Sequence, residues 1–206
     1  MKTRFSVTAC AAWAACVPSA AQAHLVDTRL GDFYGGALHP LSGFEFILPW
    51  LALAILAALQ GAKNGRWVFL IFPLGLMIGA ELSAVVPDLT FVPLLNVIAT
   101  ASVGLLVALG MALPLPLFVL LSAVLALVGG YQNGQAMAVD TNHLLFIGGV
   151  TAIGYGFIAL TSALMLAFLD GRGGWRPIAL RAGGSWIAAV AIMVLGFELA
   201  RVIHAG

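Results

Sequence analysis

The sequence predicts an all-α membrane protein, a bundle of six transmembrane helices that follows a cleaved N-terminal signal peptide. Three observations support this fold class. The chain is 62% hydrophobic and only 8% charged, whereas a soluble domain carries about 25% charged residues. Six apolar runs of near-spanning length follow one another along the chain. The basic residues between these runs fall mainly on one side of the implied topology.

Residues 1–23 have the three parts of a secretory signal peptide. Lys2 and Arg4 form the positive start, residues 5–17 form a short apolar stretch, and Ala21-Gln22-Ala23 matches an A-x-A cleavage site. The apolar stretch is short for a spanning helix, although an uncleaved anchor remains the alternative. We therefore expect residues 24–206 to form the mature transmembrane domain.

Cleavage after Ala23 would change the available ligands. It would remove both cysteines, Cys10 and Cys16, so the mature chain would hold no thiol nucleophile or thiolate ligand. His24 would then be the first residue, and its α-amine and imidazole together can chelate one metal ion. A frayed terminus without a role is the alternative for His24.

The six predicted spans are separated by short turns that contain Gly, Pro or charged residues. Each span approaches the roughly 20 residues that a helix needs to cross the hydrocarbon core. Helices are expected because backbone groups in lipid must be paired within the segment. Glycine-rich stretches such as Gly75 to Gly79 predict close helix packing. The spans are expected near residues 44–61, 67–86, 91–112, 114–130, 144–169 and 183–203.

The basic residues predict the orientation. A cleaved signal peptide and six spans leave both mature termini in the periplasm and put loops 61–66, 113–116 and 170–182 in the cytoplasm. This arrangement follows the positive-inside rule for a multi-pass protein of the bacterial inner membrane. The basic residues of the cytoplasmic loops are Lys63, Arg66, Arg172, Arg176 and Arg181.

Imidazole and carboxylate groups gather on the opposite, outer side. Every acidic residue except Asp170 falls there, as do all the histidines, and such groups suit the capture of a cation. The exclusion of basic residues from outer loops leaves acids there by default, which is the alternative explanation. The histidines are His24, His39, His143 and His204.

Two acidic residues lie at or within the first two predicted spans. Glu45 is at the outer mouth of the first span, and Glu81 is within the second. An ionisable group at the bilayer centre costs about 2.5–3.5 kcal/mol on insertion scales, so it usually faces the bundle interior. A place in a transport pathway and a buried structural hydrogen bond both remain open for Glu81.

His39 and Glu45 flank the start of the first span. Pro40 suits a first helical turn and predicts an extended conformation for His39. A spacing of six residues places the two side chains about 240° apart on a regular helix. Pro40 and Gly43 permit an irregular start, so convergence of His39 and Glu45 remains open.

Several segments resemble the HupE/UreJ family of small nickel or cobalt permeases. "HPLSGFEF" is similar to a family motif of the form His-x5-Asp-His, with His39 matching, Glu45 in place of the aspartate and Phe46 in place of the second histidine. "LPWLALAILAAL", "FPLGLMIGAEL" and "VPLLNVIATASVGLLVALG" resemble the first three helices, with Asn96 where glutamate is usual. "VGGYQNG" stands where the family carries Phe-His-Gly-x-Ala-His-Gly, so Gly129 and Asn133 replace its histidines.

The resemblance implies transport of a divalent transition metal, nickel or cobalt. We expect His24, His39 and Glu45 to capture it on the periplasmic side. The metal is the substrate, and no prosthetic group is expected. The alternative is a non-transporting membrane module that binds metal or docks a periplasmic partner. Whether the glycine pairs pack within one chain or in a homo-oligomer is open. The expected transport pathway consists of Glu81, Asn96, Asn133, Asp140 and His143.

Other functions find little support in the residues. A nucleic-acid partner would require a concentrated basic patch, and the formal net charge is only +1. An intramembrane enzyme would require an arrangement such as H-E-x-x-H or paired acids on one helix, and neither occurs in the sequence. We therefore expect the protein not to be an enzyme.

Overall fold

The structure, a computed structural model, describes residues 30–86, 89–170 and 174–205, with side chains described as far as residue 200. The predicted signal peptide and His24 lie outside these residues, as does the side chain of His204. The described residues form α-helices and one 3-10 turn, His39–Leu41, without any strand. The helices are α1 Gly31–Leu38, α2 Phe44–Leu59, α3 Gly61–Gly65, α4 Val68–Val85, α5 Val92–Leu109, α6 Leu115–Gln135, α7 His143–Leu169 and α8 Arg176–Ala205.

The length and composition of these helices confirm an all-α membrane protein. Within the described ranges, five helical segments are long and apolar enough to cross a bilayer. A sixth span is obtained if α1 and the 3-10 turn are joined to α2, although the two parts meet at a bend of 74°. The five segments are Gly61–Val85, Val92–Leu109, Leu115–Gln135, His143–Leu169 and Arg176–Ala200.

Two helices extend beyond their expected bounds because glycines lie in helix contacts there. α6 continues to Gln135, past the glycine pair at 129–130, and a Cβ atom on Gly130 would overlap the backbone oxygen of Leu76. α8 begins at Arg176, and a Cβ atom on Gly184 would overlap the side chain of Val107. Glycine here permits close approach of neighbouring helices instead of ending a helix.

The seam between α4 and α6 is built from glycines on both helices. A Cβ atom on Gly79 would overlap the carbonyl oxygen of Leu127, and one on Gly134 would overlap the Ser83 hydroxyl. The predicted role of the Gly75 to Gly79 pair in close packing is thereby confirmed. Because lipid supplies no hydrophobic force between helices, this close packing is a main source of their association.

Trp50 of α2 lies at the centre of the bundle with 1% of its surface exposed. Its indole makes edge contacts with Phe72 of α4 at 5.6 Å and with Phe157 of α7 at 5.8 Å between ring centroids. Edge-to-face packing of this kind adds about 0.5–1.5 kcal/mol per pair beyond area burial. α2 is therefore the central element against which the other helices are placed.

One end of the bundle, here called the basic end, carries every basic side chain that the structure describes. Arg176 donates to the carbonyl of Phe168 at 2.7 Å, and Arg181 donates to the carbonyl of Ala108 at 2.8 Å. Each guanidinium thereby pairs one of the carbonyls left free at a helix C-terminus. The basic side chains are Lys63, Arg66, Arg176 and Arg181.

Candidate functional site

His39 lies in the break between α1 and α2, at the end of the bundle opposite the basic end. Its backbone is right-handed helical, with φ −54° and ψ −51°, so the prediction of an extended conformation was wrong. The amide and hydroxyl of Ser42 both donate to the His39 carbonyl, at 3.0 and 2.7 Å. These two bonds stabilise a compact 3-10 turn and offset the steric preference imposed by Pro40.

The break brings Glu45 near enough to His39 for its charge to reach the imidazole. Gly43 is extended, with φ −129° and ψ 137°, and it caps α2. The Glu45 carboxylate folds back over Gly43 so closely that a Cβ atom there would overlap it. Its charge acts directly on the His39 imidazole. An irregular helix start thus leaves these two side chains nearer to each other than a continuous helix would.

Two phenylalanine rings close the other sides of the imidazole. The ring centroid of His39 lies 5.3 Å from that of Phe46 and 6.2 Å from that of Phe146. His39 and Glu45 are therefore the two side chains at this point whose chemistry suits a metal ion. Across the described residues, no group of three His, Cys, Asp or Glu side chains is close enough to hold a metal ion.

A hydrogen bond from Asn96 of α5 to the first turn of α2 exists because Pro49 leaves a carbonyl there without its helical donor. Proline has no N–H, so the Glu45 carbonyl, four residues earlier in α2, lacks its helical donor. The side-chain amide of Asn96 donates to that carbonyl at 2.9 Å. The proline within the helix was the sequence signal for such a bond, and our sequence analysis did not use it.

The Asn96 amide oxygen has no hydrogen-bond partner, although the residue is only 3% exposed. It lies beside a cavity of about 220 Å³ between α2, α5 and α8 that Glu45 and Thr100 also line. An unpaired buried acceptor costs about 1–3 kcal/mol. One carboxylate residue and one residue with a free amide oxygen therefore line the same cavity, and His39 lies outside that lining.

Contacts between α1 and α7 hold the break in place. A Cβ atom on Gly36 would overlap the Phe146 backbone, and one on Gly149 would overlap that of Phe33. The Asp32 carboxylate accepts a hydrogen bond from the backbone N–H of Asn142 at 2.9 Å. Sequence analysis missed α1, and the Gly35-Gly36 and Gly148-Gly149 pairs were the available signal for this packing.

Glu81 lies apart from the His39 pair, on the exposed face of α4. It lines a groove of about 400 Å³ between α4 and α7 together with Gly148 and Thr151. The expectation that it faces the bundle interior was wrong. The inner face of α4 presents Gly79 and Ser83 to α6, and Glu81 is about 200° from Gly79 around the helix.

Asn133 of α6 is fully buried. Its amide donates to the Gly129 carbonyl at 2.7 Å, while its own side-chain oxygen has no partner. The Trp50 indole N–H is also unpaired, and it lies 3.6 Å from the point where a Cβ atom on Gly129 would stand. A polar point, with one free donor and one free acceptor, therefore interrupts the core between α2 and α6.

Asp140 lies in the turn that joins α6 to α7, and His143 is the first residue of α7. Both side chains are exposed. His143 lines a cavity of about 260 Å³ with residues of α4 and of the turn, and that cavity does not include Glu45 or Asn96. Two separate clusters of polar side chains thus occupy this end of the bundle.

Comparison with known proteins assigns the family. A family model described as "HupE / UreJ protein" matches residues 12–199. The chain belongs to the HupE/UreJ family. A HupE/UreJ relative, "Protein HupE" from Rhizobium leguminosarum bv. viciae, is 28% identical over 191 residues, which are 89% of this chain and 94% of the relative. No solved structure gives a significant match.

Membership in the HupE/UreJ family agrees with the architecture. The family is linked to nickel and cobalt handling and consists of permease-like or accessory membrane proteins, not enzymes. The helices of this chain suit a lipid bilayer. The member described here places His39, Glu45 and Asn96 at one turn.

Proposed function

We propose that this protein carries a divalent transition-metal cation, nickel or cobalt, across the bacterial inner membrane. The observation that carries the proposal is that Glu45 lies near His39 at the break between α1 and α2 and lines one cavity with Asn96, whose amide oxygen is free. Imidazole nitrogen and carboxylate oxygen are both ligands of first-row divalent metals. A third ligand is supplied by His24 or by water.

The distribution of charge gives the direction of capture. The end that holds His39 also carries the described carboxylates of Asp32, Glu45, Glu81 and Asp140, whereas the described basic side chains lie at the basic end. A surface of one sign concentrates counter-ions and raises their rate of association. The positive-inside rule puts the basic end in the cytoplasm, so capture takes place in the periplasm.

Polar atoms inside the bundle support a route from this site. Asn96 and Asn133 each offer a buried oxygen without a partner, and both lie in the half of the bundle nearer His39. Glu81, Asp140 and His143 lie at the same end of the bundle, outside the cavity of Glu45 and Asn96, and complete the proposed pathway.

A membrane accessory that binds metal without transporting it is the second candidate. The observation in its favour is that no third His, Cys, Asp or Glu joins His39 and Glu45 among the described residues. Such a protein would hold a metal loosely and deliver it to a partner in the periplasm. Binding without flux distinguishes this function from transport.

The cellular test uses His39→Ala and Glu45→Gln. Because each variant removes one of two neighbouring metal ligands, we expect uptake of radioactive Ni²⁺ or Co²⁺ at limiting concentration to fall by more than about tenfold. Asp170→Asn is the matched control because it removes a carboxylate from the basic end. Uptake that is normal in both site variants, at equal protein levels, would contradict the proposed mechanism.

A further inference from the structure

A second cavity, at the end of the bundle opposite the basic end, combines a thioether with an imidazole. It has a volume of about 260 Å³ and is formed by the last turns of α4 and α6, the turn after α6 and the start of α7. Met137 and His143 both line it, together with Ser83 and Gln135. Neither Glu45 nor Asn96 is part of this cavity.

Hydrogen bonds fix the turn that carries these two side chains. The Met137 amide donates to the Gly134 carbonyl at 3.2 Å, and the Thr141 amide donates to the Ala138 carbonyl at 3.1 Å. The Asn142 side chain then accepts from the Leu145 amide at 3.2 Å and caps α7 just before His143. Both donors therefore project from a defined backbone, which lowers the cost of bringing them to one ligand.

We propose that this cavity binds a soft monovalent metal ion, Cu(I), between the Met137 sulfur and the His143 imidazole. Thioether sulfur is a soft ligand and favours Cu(I), whereas carboxylate, carbonyl and water oxygen favour harder ions. The two donors are neutral, so a monovalent ion leaves half the uncompensated charge of a divalent ion. Cu(I) also binds with few ligands, which suits a cavity that offers two.

The site is separate from the His39 and Glu45 capture site, although it shares His143 with the proposed pathway. It uses a different cavity and includes a methionine that the pathway does not. The exposed Asp140 is three residues before His143 and is not among the residues that line the cavity.

The test is an anaerobic titration of the purified full-length protein in detergent with Cu(I), in competition with the coloured chelator bicinchoninate. We expect the protein to withdraw one Cu(I) per chain from the chelator. Met137→Leu and His143→Gln should each weaken this binding by more than about tenfold, since even the loss of a group that only supports a metal ligand costs 10–100-fold. Leucine closely matches methionine in volume, so the bundle should keep its packing.

Two controls separate this site from other donors. Met111→Leu removes a methionine that is 46% exposed at the basic end, and His39→Gln removes the imidazole of the other site. Both controls should bind Cu(I) as the unchanged protein does. The proposal is overturned if the unchanged protein withdraws no Cu(I), if Met137→Leu binds as tightly as Met111→Leu, or if His39→Gln loses the ion. Loss of Ni²⁺ uptake alone would leave this result unaffected.

Discussion

Gly79→Ala is expected to destabilise the bundle strongly, although alanine is the better helix former. The added Cβ atom would overlap the Leu127 carbonyl oxygen and would lie 2.9 Å from both the Leu127 carbonyl carbon and the Tyr131 nitrogen. These neighbours are backbone atoms, so α4 and α6 must separate along the seam. Overpacking costs about 1–3 kcal/mol, which exceeds the gain of about 1 kcal/mol from helix propensity.

Gly156→Ala provides the matched control on α7. A Cβ atom there meets nothing within 4 Å, so only the favourable helix propensity remains. Thermal unfolding of both variants in the same detergent should give a lower melting temperature for Gly79→Ala and an equal or higher one for Gly156→Ala. Equal melting temperatures in the two variants would show that the glycine seam does not hold α4 against α6.

Phe46→His is expected to raise the affinity for Ni²⁺ or Co²⁺. The Phe46 ring lies 5.3 Å from the His39 ring, and Glu45 is its chain neighbour. The substitution would therefore place a second imidazole beside the existing imidazole and carboxylate. Because these metals favour sites rich in imidazole, we expect binding to tighten by more than about tenfold, the scale of effect seen when metal-site residues are altered.

Equilibrium dialysis of the purified protein against Ni²⁺ measures this gain. Phe91→His is the matched control, since Phe91 is 56% exposed and makes no ring contact with His39. His39→Ala combined with Phe46→His should lose the gain. A Phe91→His protein that binds as tightly as Phe46→His would indicate adventitious binding, and an unchanged affinity in Phe46→His would place the capture site elsewhere.

The membrane architecture was predictable because lipid imposes strong constraints on composition. The lipid solvent and the translocation machinery determine where apolar runs, brief turns and basic residues occur. Each of these features can therefore be recognised from a short stretch of sequence, as at Lys63, Arg66, Arg176 and Arg181. The bounds of α6 and α8 were less predictable. A glycine in a span is compatible either with close helix packing or with the end of the helix. Only the position of the neighbouring helix shows which of the two applies.

The geometry of the site depends on contacts between distant parts of the chain. α1 packs through Gly36 against Phe146, which is 110 residues away in sequence, and this contact holds the turn that contains His39. Asn96 pairs with the Glu45 carbonyl across 51 residues. The preference imposed by Pro40 predicted an extended His39, and the hydrogen bonds from Ser42 overrode it. The cost of a charge in lipid favoured an inward Glu81, but the glycine seam occupies that face of α4.

The most direct test of the account is Ni²⁺ influx into liposomes that contain only the purified protein. We predict saturable influx for the unchanged protein, and none above empty liposomes for a variant that combines His39→Ala with Glu45→Gln. Asp170→Asn should retain influx. Two results would contradict the account: Ni²⁺ bound by the unchanged protein without any influx, or influx that persists undiminished in the double variant.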